Sequence, residues 1–177
     1  MRTYNAWSDT VMPLNIRQIR EEDVPSFNAA IGIIARERRY LYLIDTPPMA
    51  DTAAMVARIV KDGTPHHVLV DGDRVVGWCN ILPPPRSARA HVGIVAMGLL
   101  PEWRDKGWGT RLMQSALASA NAFGFTRVEL TVFANNQRAQ ALYRKLGFVE
   151  EGIKRDSVRI DGVSIDEIIM ARRRPAT

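Results

Sequence analysis

The spacing of apolar and polar residues predicts strands and helices along most of the chain. Residues 14–20 alternate over seven positions, as expected of a half-buried strand. Acidic residues open a predicted helix over 21–37, and a second helix is predicted over 51–61. Two strand-like runs at 67–70 and 74–81 are joined by residues that favour a tight turn, which indicates a hairpin.

The second half of the chain adds further strands and two helices. A nearly continuous apolar run at 91–99 predicts a strand that is buried on both faces. A glycine-rich turn leads into a helix that ends near Gly124, and 127–133 forms the next strand. The Asn135-Asn136 pair can cap another helix, and a final hairpin is predicted over 148–171. These elements predict an α+β protein whose sheet is largely antiparallel.

The composition indicates one ordinary globular domain. The chain has 177 residues, of which 46% are apolar and 24% are charged, close to the average for such domains. We assign residues 1–13 to a flexible N-terminal arm, 14–172 to a single domain and 173–177 to a basic tail. No apolar run reaches the ~18 residues of a membrane span, and Cys79, as the only cysteine, excludes an internal disulfide. A cytoplasmic protein is therefore expected.

The segment 99–110 has the features of a phosphate-binding helix start. A buried strand runs into a turn that contains Gly107 and Gly109, and a helix follows whose first N–H groups point outward. The glycines let a ligand approach the backbone closely, and Arg104 and Lys106 add positive charge. Alone, this spacing leaves an ordinary glycine turn open as an alternative.

Two well-known phosphate-binding motifs are excluded at this segment. A P-loop requires Gly-Lys-Ser/Thr, but Thr110 and Arg111 follow the last glycine. A dinucleotide fingerprint requires a third glycine where this chain has Leu112. What remains is the pattern Arg-x-x-Gly-x-Gly opening a helix.

A second segment makes the pattern specific. The run 130–148 contains Asn136, an Ala-x-x-Leu-Tyr pattern that ends at Tyr143, and a Gly-Phe pair. With 97–112, it resembles the Gcn5-related N-acetyltransferase (GNAT) family, in which these parts occur in the same order. The resemblance covers about 14–171, and the closing stretch is most similar to the small-molecule branch that contains L-amino acid N-acetyltransferases. It implies a mixed, six- to seven-stranded sheet, splayed at its central strands and flanked by about four helices.

The resemblance also implies acetyl-CoA as cosubstrate. No metal is expected, because no third ligand is spaced to join the His66-His67 pair. The pantetheine arm is expected to pair with the backbone of Met97 and Leu99, while Asn136 and Tyr143 match family residues near that arm and the thioester sulfur. The pyrophosphate is expected on the helix start, whose residues are Arg104, Asp105, Lys106, Gly107, Trp108, Gly109 and Thr110.

Acetyl transfer to an amine requires a proton donor for the leaving thiolate and a route for the proton that the amine loses. Tyr143 is the predicted general acid. The base is left open: Glu129 and His91 are the nearby candidates, and a water chain or an amine that arrives neutral could suffice. A backbone N–H of the splayed strand could stabilise the oxyanion.

The resulting prediction is an enzyme that moves the acetyl group of acetyl-CoA to the primary amine of a small molecule, such as an amino acid. Direct attack would pass through a tetrahedral intermediate. The alternatives are a protein N-terminal acetyltransferase and a non-catalytic acyl-CoA-binding protein. The net charge of +5 is mild and no nucleic-acid-reading motif occurs, so neither nucleic acid nor membrane is an expected partner. A homodimer through the apolar stretch 165–170 is expected.

Overall fold

The computed structural model describes residues 14–85 and 87–174. The strands are β1 (Asn15–Gln18), β2 (His66–Asp71), β3 (Arg74–Leu82), β4 (Val92–Leu99), β5 (Arg127–Phe133), β6 (Val149–Ile160) and β7 (Val163–Arg173). The helices are α1 (Val24–Arg36), α2 (Met49–Asp62), α3 (Trp108–Phe123) and α4 (Gln137–Lys145). Short 3-10 turns lie at Glu21–Asp23, Ser87–Arg89 and Pro101–Trp103.

The strands form one seven-stranded sheet in the order β1-β2-β3-β4-β5-β7-β6. All neighbouring strands are antiparallel except β4 and β5, which are parallel. That parallel pairing covers only 92–94 against 127–129, although both strands continue beyond it. The sheet is therefore split on one side of its centre.

Helices cover both faces of the sheet. On one face, Phe27 of α1 packs edge-on against Trp78 of β3, with ring centroids 5.3 Å apart. On the other face, α3 buries Leu112, Met113 and Ala116 against the sheet. Because these apolar side chains lie at helical spacing, each helix turns one face to the core and another to solvent.

The mixed α+β architecture predicted from the sequence is confirmed, and most elements lie within two residues of their predicted positions. The C-terminal boundary differs, since β7 continues through Arg173, which pairs with Arg127 of β5. Residue 173 therefore belongs to the sheet rather than to a tail. The predicted arm at 1–13 lies outside the described residues.

The expectation that β4 is buried on both faces is wrong for its second half. Ala96 is exposed, and Met97 to Leu99 are only half-buried. The reason is the split in the sheet, because a strand that loses its neighbour on one edge no longer lies under a continuous layer of side chains.

A buried histidine makes the stability of this fold depend on pH. His66 in β2 is fully buried, its ring lies 5.0 Å from that of Phe27, and neither ring nitrogen has a hydrogen-bond partner among the described residues. Burial lowers the pKa of His66 to about 3, with a further contribution from His67. The folded state therefore holds this imidazole neutral where the unfolded chain would protonate it.

The contribution of His66 is fully present above the ordinary histidine pKa of 6.5 and is lost as the pH falls toward 3. We expect the free energy of unfolding to fall by about 2 kcal/mol between pH 7 and pH 5, measured by urea denaturation. His66→Leu should flatten this slope, whereas His91→Gln, at an exposed histidine, should keep it. Equal slopes in wild type and His66→Leu would contradict this assignment.

Candidate active site

The split between β4 and β5 opens into a cavity of about 470 Å³. Strand β4 forms one wall and strand β5 the other, and the segment between α1 and α2 closes one side. The start of α3 and the start of α4 complete the lining. Its shape suits an elongated ligand inserted between the two strands.

The wall formed by β4 presents backbone groups that have no partner in β5. The N–H of Leu100 donates to the carbonyl of Val76 in β3, at 2.9 Å. Because successive residues of a strand point their backbone groups to opposite edges, Leu99 and Met97 direct theirs toward the gap. These are the two residues predicted to pair with an extended ligand, and both line the cavity.

The start of α3 faces the same cavity. Gly107 is its N-cap and has φ +81°, in the left-handed region that glycine enters without steric cost. Among the described residues no side chain caps this end, so the first N–H groups of the helix can bind an anion. Gly107, Gly109 and Thr110 all line the cavity.

Arg104 also lines the cavity, but neighbouring groups hold its guanidinium in place. Nε donates to the carbonyl of Leu99 at 2.8 Å, and Nη1 donates to the carboxylate of Glu37 at 2.8 Å. The guanidinium also lies 4.9 Å from the ring centroid of Tyr40. Its charge is therefore largely compensated, and its direct effect is to join the end of β4 to the end of α1.

Helix α4 places two predicted residues on the opposite side of the cavity. Asn136 caps α4, with its side-chain oxygen accepting from the N–H of Ala139 at 3.2 Å, as the sequence predicts. Tyr143 lies two turns further along, and only 7% of it is exposed. Burial, with a smaller effect of the nearby Cys79, raises the pKa of the Tyr143 hydroxyl. The phenol therefore stays protonated at neutral pH and can act as a donor.

The structure places four predicted residues away from the cavity lining: Lys106, Trp108, Glu129 and the exposed His91. Lys106 lies over the ring of Trp103, and Trp108 stacks beneath the guanidinium of Arg111. Glu129 is bonded through its two carboxylate oxygens to Arg127 and Arg89. Glu129 does not line the cavity, and its role as the base stays a prediction. Asp105, by contrast, lines the cavity and is paired with Arg138.

One polar cluster at the cavity was not predicted. The hydroxyl of Tyr42, from the segment between α1 and α2, lies 2.8 Å from Oγ1 of Thr131 and donates to the carboxylate of Glu167 in β7. Glu167 is only 2% exposed. The available signal was a pair of acidic residues, Asp166 and Glu167, inside an otherwise apolar strand, since a buried carboxylate requires partners.

A split sheet with a free helix N-terminus at one end and a buried phenol inside is the architecture of an acyl-CoA-dependent transferase. The model of the Acetyltransferase (GNAT) family matches residues 18–148. The chain therefore belongs to the GNAT family and is an acetyltransferase.

Individual relatives agree with this assignment. The L-amino acid N-acetyltransferase AaaT of Escherichia coli (strain K12) is 29% identical over 156 residues, which cover 87% of this chain and 96% of that protein. Among solved structures, a GNAT-family acetyltransferase from Streptococcus pneumoniae has a TM-score of 0.84 at 25% identity and covers 91% of this chain and 99% of its own. A phosphinothricin acetyltransferase from Sinorhizobium meliloti, solved with AcCoA, has a TM-score of 0.85 at 24% identity, with 92% and 89% covered.

Within residues 14–85 and 87–174, no group of three or more His, Cys, Asp or Glu side chains is arranged to hold a metal ion. Among the helices of the same residues, none is both long and apolar enough to cross a membrane.

Proposed function

We propose that this protein transfers the acetyl group of acetyl-CoA to the primary amine of a small molecule, with amino acids as the first candidates. The observation that carries the proposal is the single cavity that joins the free start of α3, the unpaired edge of β4 and the buried Tyr143. The similarity to an L-amino acid N-acetyltransferase over 87% of the chain supports this class of acceptor.

The cavity offers binding groups for the pyrophosphate and the pantetheine arm of acetyl-CoA. The N–H groups at the start of α3, from Gly107 to Thr110, would hold the pyrophosphate. The backbone groups of Met97 and the N–H of Leu99, whose carbonyl already accepts from Arg104, would pair with the amides of the pantetheine arm. The Asn136 side chain uses its oxygen for the helix cap, which leaves its NH₂ group to donate to the same arm.

In this arrangement Tyr143 is the proton donor to the leaving sulfur. When the amine attacks the thioester carbonyl, the carbonyl oxygen becomes an oxyanion, and a backbone N–H on the free edge of β4 can stabilise it. When the tetrahedral intermediate collapses, the C–S electron pair moves to sulfur and the Tyr143 hydroxyl supplies a proton. Its raised pKa keeps that proton in place until negative charge develops.

The proposal is tested by following thiol release from acetyl-CoA over the twenty L-amino acids, simple aliphatic amines and short peptides with free N-termini. Small amines should serve as acceptors with kcat/KM well above that of the peptides. A clear preference for peptides would favour N-terminal acetylation of proteins. Binding of acetyl-CoA without release on any acceptor would favour a non-catalytic acyl-CoA-binding protein.

We propose a cytoplasmic homodimer, but through a surface other than the predicted stretch 165–170. That stretch lies in β7, which is covered on both edges by β5 and β6. Strand β6 forms the outer edge of the sheet, and Val149 and Ile153 on it are 62% and 45% exposed. Light scattering should give twice the chain mass of 19.9 kDa, and Val149→Lys with Ile153→Lys should return the monomer. A monomeric wild type would overturn this proposal.

A further inference from the structure

We infer that the Tyr42 hydroxyl, supported by Glu167, takes the proton that the acceptor amine must lose before it attacks. This inference rests on the proposed function, because it assigns the base for that same reaction. Tyr42 would contact the amine, whereas Glu167 would act through Tyr42 as a positioning residue and as the final holder of the proton.

Tyr42 is placed to meet an acceptor inside the cavity. It belongs to the segment between α1 and α2, and it lines the cavity together with Thr131 and Tyr143. Its ring packs edge-on against Phe133, with centroids 5.8 Å apart. Although 62% of the residue is exposed, its hydroxyl reaches inward to Thr131 and Glu167. The reactive oxygen therefore has a defined position at the rim of the site.

Glu167 is a buried carboxylate with several hydrogen-bond donors around it. It lies opposite Phe133 in the pairing of β5 with β7. Ser157 donates to its Oε2 at 2.5 Å, and Tyr42 donates to its Oε1. Lys154 of β6 is the charged group that faces it, with Nζ 3.9 Å from Oε2. Burial alone would raise its pKa, but these donors and Lys154 hold that pKa below the usual value, so Glu167 is ionised at neutral pH.

The direction of the Tyr42–Glu167 hydrogen bond leaves the phenol oxygen able to accept a proton. Since Tyr42 donates its proton to Glu167, its oxygen accepts from the Thr131 hydroxyl with one lone pair and keeps the other to accept from the amine. Burial and the neighbouring carboxylate raise the pKa of Tyr42, which disfavours a free phenolate. A proton taken up by the Tyr42 oxygen is therefore accompanied by transfer of the phenol's own proton to Glu167.

The proton balance follows from the overall reaction, in which a bound ammonium group loses two protons and the CoA sulfur gains one. The first proton passes from nitrogen to the Tyr42 oxygen as the Tyr42 proton moves to Glu167, which holds it until the acetyl group has been transferred and then releases it to solvent. The neutral amine then forms the C–N bond, and the C–S bond breaks. Tyr143 gives its proton to sulfur, and the second proton from nitrogen restores Tyr143 through water.

The alternative to a role in proton transfer is a purely structural one, in which the Tyr42–Glu167 hydrogen bond only holds the segment between α1 and α2 against the sheet. The pH dependence of the reaction separates the two roles. With a working base, kcat/KM for the acceptor stays nearly constant with pH below the amine pKa, because the enzyme accepts the ammonium form. Without one, kcat/KM rises in proportion to the fraction of amine that is already neutral.

The test uses the full-length protein and the best acceptor from the amine panel described above. Tyr42→Phe and Glu167→Gln should each lower kcat/KM for the acceptor at pH 7, by roughly 10²- to 10⁴-fold for Tyr42→Phe. Both variants should acquire the proportional rise with pH, and their activities should approach that of the wild type near the amine pKa. KM for acetyl-CoA should change little.

Two control variants sharpen the result. Asp166→Asn removes the adjacent carboxylate of β7, which is bonded to Arg155 and the backbone of Asp156 instead, and it should keep the wild-type profile. Glu129→Gln tests the base predicted from the sequence. The inference is overturned if Glu129→Gln alone changes the profile, or if Tyr42→Phe lowers activity equally at every pH. Absence of transfer to any amine by the wild type would overturn the proposed function as well.

A spectroscopic measurement tests the coupling without acetyl-CoA. Ultraviolet titration of the tyrosines, with Tyr42→Phe subtracted, isolates the Tyr42 phenol. Glu167→Gln should lower the pKa of this phenol because it removes the adjacent negative charge, and Asp166→Asn should leave it in place. An unchanged Tyr42 pKa in Glu167→Gln would show that the carboxylate does not act on the phenol and would overturn the inference.

Discussion

Tyr143→Phe is expected to lower kcat by roughly 10²- to 10⁴-fold, the usual contribution of a positioned acid or base. The substitution keeps the ring that packs against Phe148, with centroids 5.9 Å apart, and it removes only the hydroxyl. Since that hydroxyl acts when charge develops on sulfur, KM for acetyl-CoA should stay nearly constant. Steady-state kinetics with the best small amine acceptor provides the measurement.

Stability and cofactor binding of Tyr143→Phe must be measured alongside its activity. Calorimetric binding of acetyl-CoA and the urea midpoint should both stay close to the wild type, because the buried ring remains in the cavity wall. If the midpoint falls while turnover holds, Tyr143 serves the core of the protein and not the reaction. The leaving thiolate comes from acetyl-CoA and is the same for every acceptor, so one amine is enough for this test.

The parts of the site that depend on neighbouring residues in the chain could be predicted from the sequence. Gly107 adopts a left-handed backbone conformation at the start of α3, and Asn136 caps α4. Both roles follow from local preferences of these residue types. The strands of the sheet were predictable for the same reason, because alternation and apolar runs are local patterns.

The parts that depend on distant residues could not be predicted. Arg104 meets Glu37 across 67 positions, and Tyr42 meets Glu167 across 125. The apolar run of β4 has the composition of a fully buried strand, yet Ala96 is exposed and Met97 to Leu99 are only half-buried, because β5 diverges after three paired residues. The residues of β4 do not reveal that divergence, because it depends on the position of a different strand.

Glu129 illustrates the same limit for catalytic residues. Its position on a central strand made it a reasonable base, but strand alternation alone does not say which end of the split sheet it lies at. It lies where β4 and β5 are still paired, opposite Ile94, and two arginines bind it. Tyr42 and Glu167 lie where the strands have separated, which is where an acceptor can enter.

Gly107→Asp is expected to remove most of the affinity for acetyl-CoA. A Cβ at Gly107 would meet no atom within 4 Å, so the new side chain has room and the helix should form. The added carboxylate would compete for the free N–H groups of α3 and repel the pyrophosphate. Two charges about 4 Å apart repel by ~4 kcal/mol at an intermediate dielectric. Allowing for screening by solvent at this rim, we expect roughly a 30- to 150-fold loss of affinity.

Gly107→Asn is the matched control for this prediction, because it separates charge from backbone strain. Asn and Asp have nearly the same shape, and both enter the left-handed region more readily than other residues with a side chain. The φ of +81° at position 107 therefore costs the two variants similar amounts of stability. Calorimetry on both folded variants should show acetyl-CoA bound clearly more weakly by Gly107→Asp than by Gly107→Asn. If the two bind equally well, the start of α3 does not hold the pyrophosphate, and the phosphate groups must lie elsewhere along the cavity.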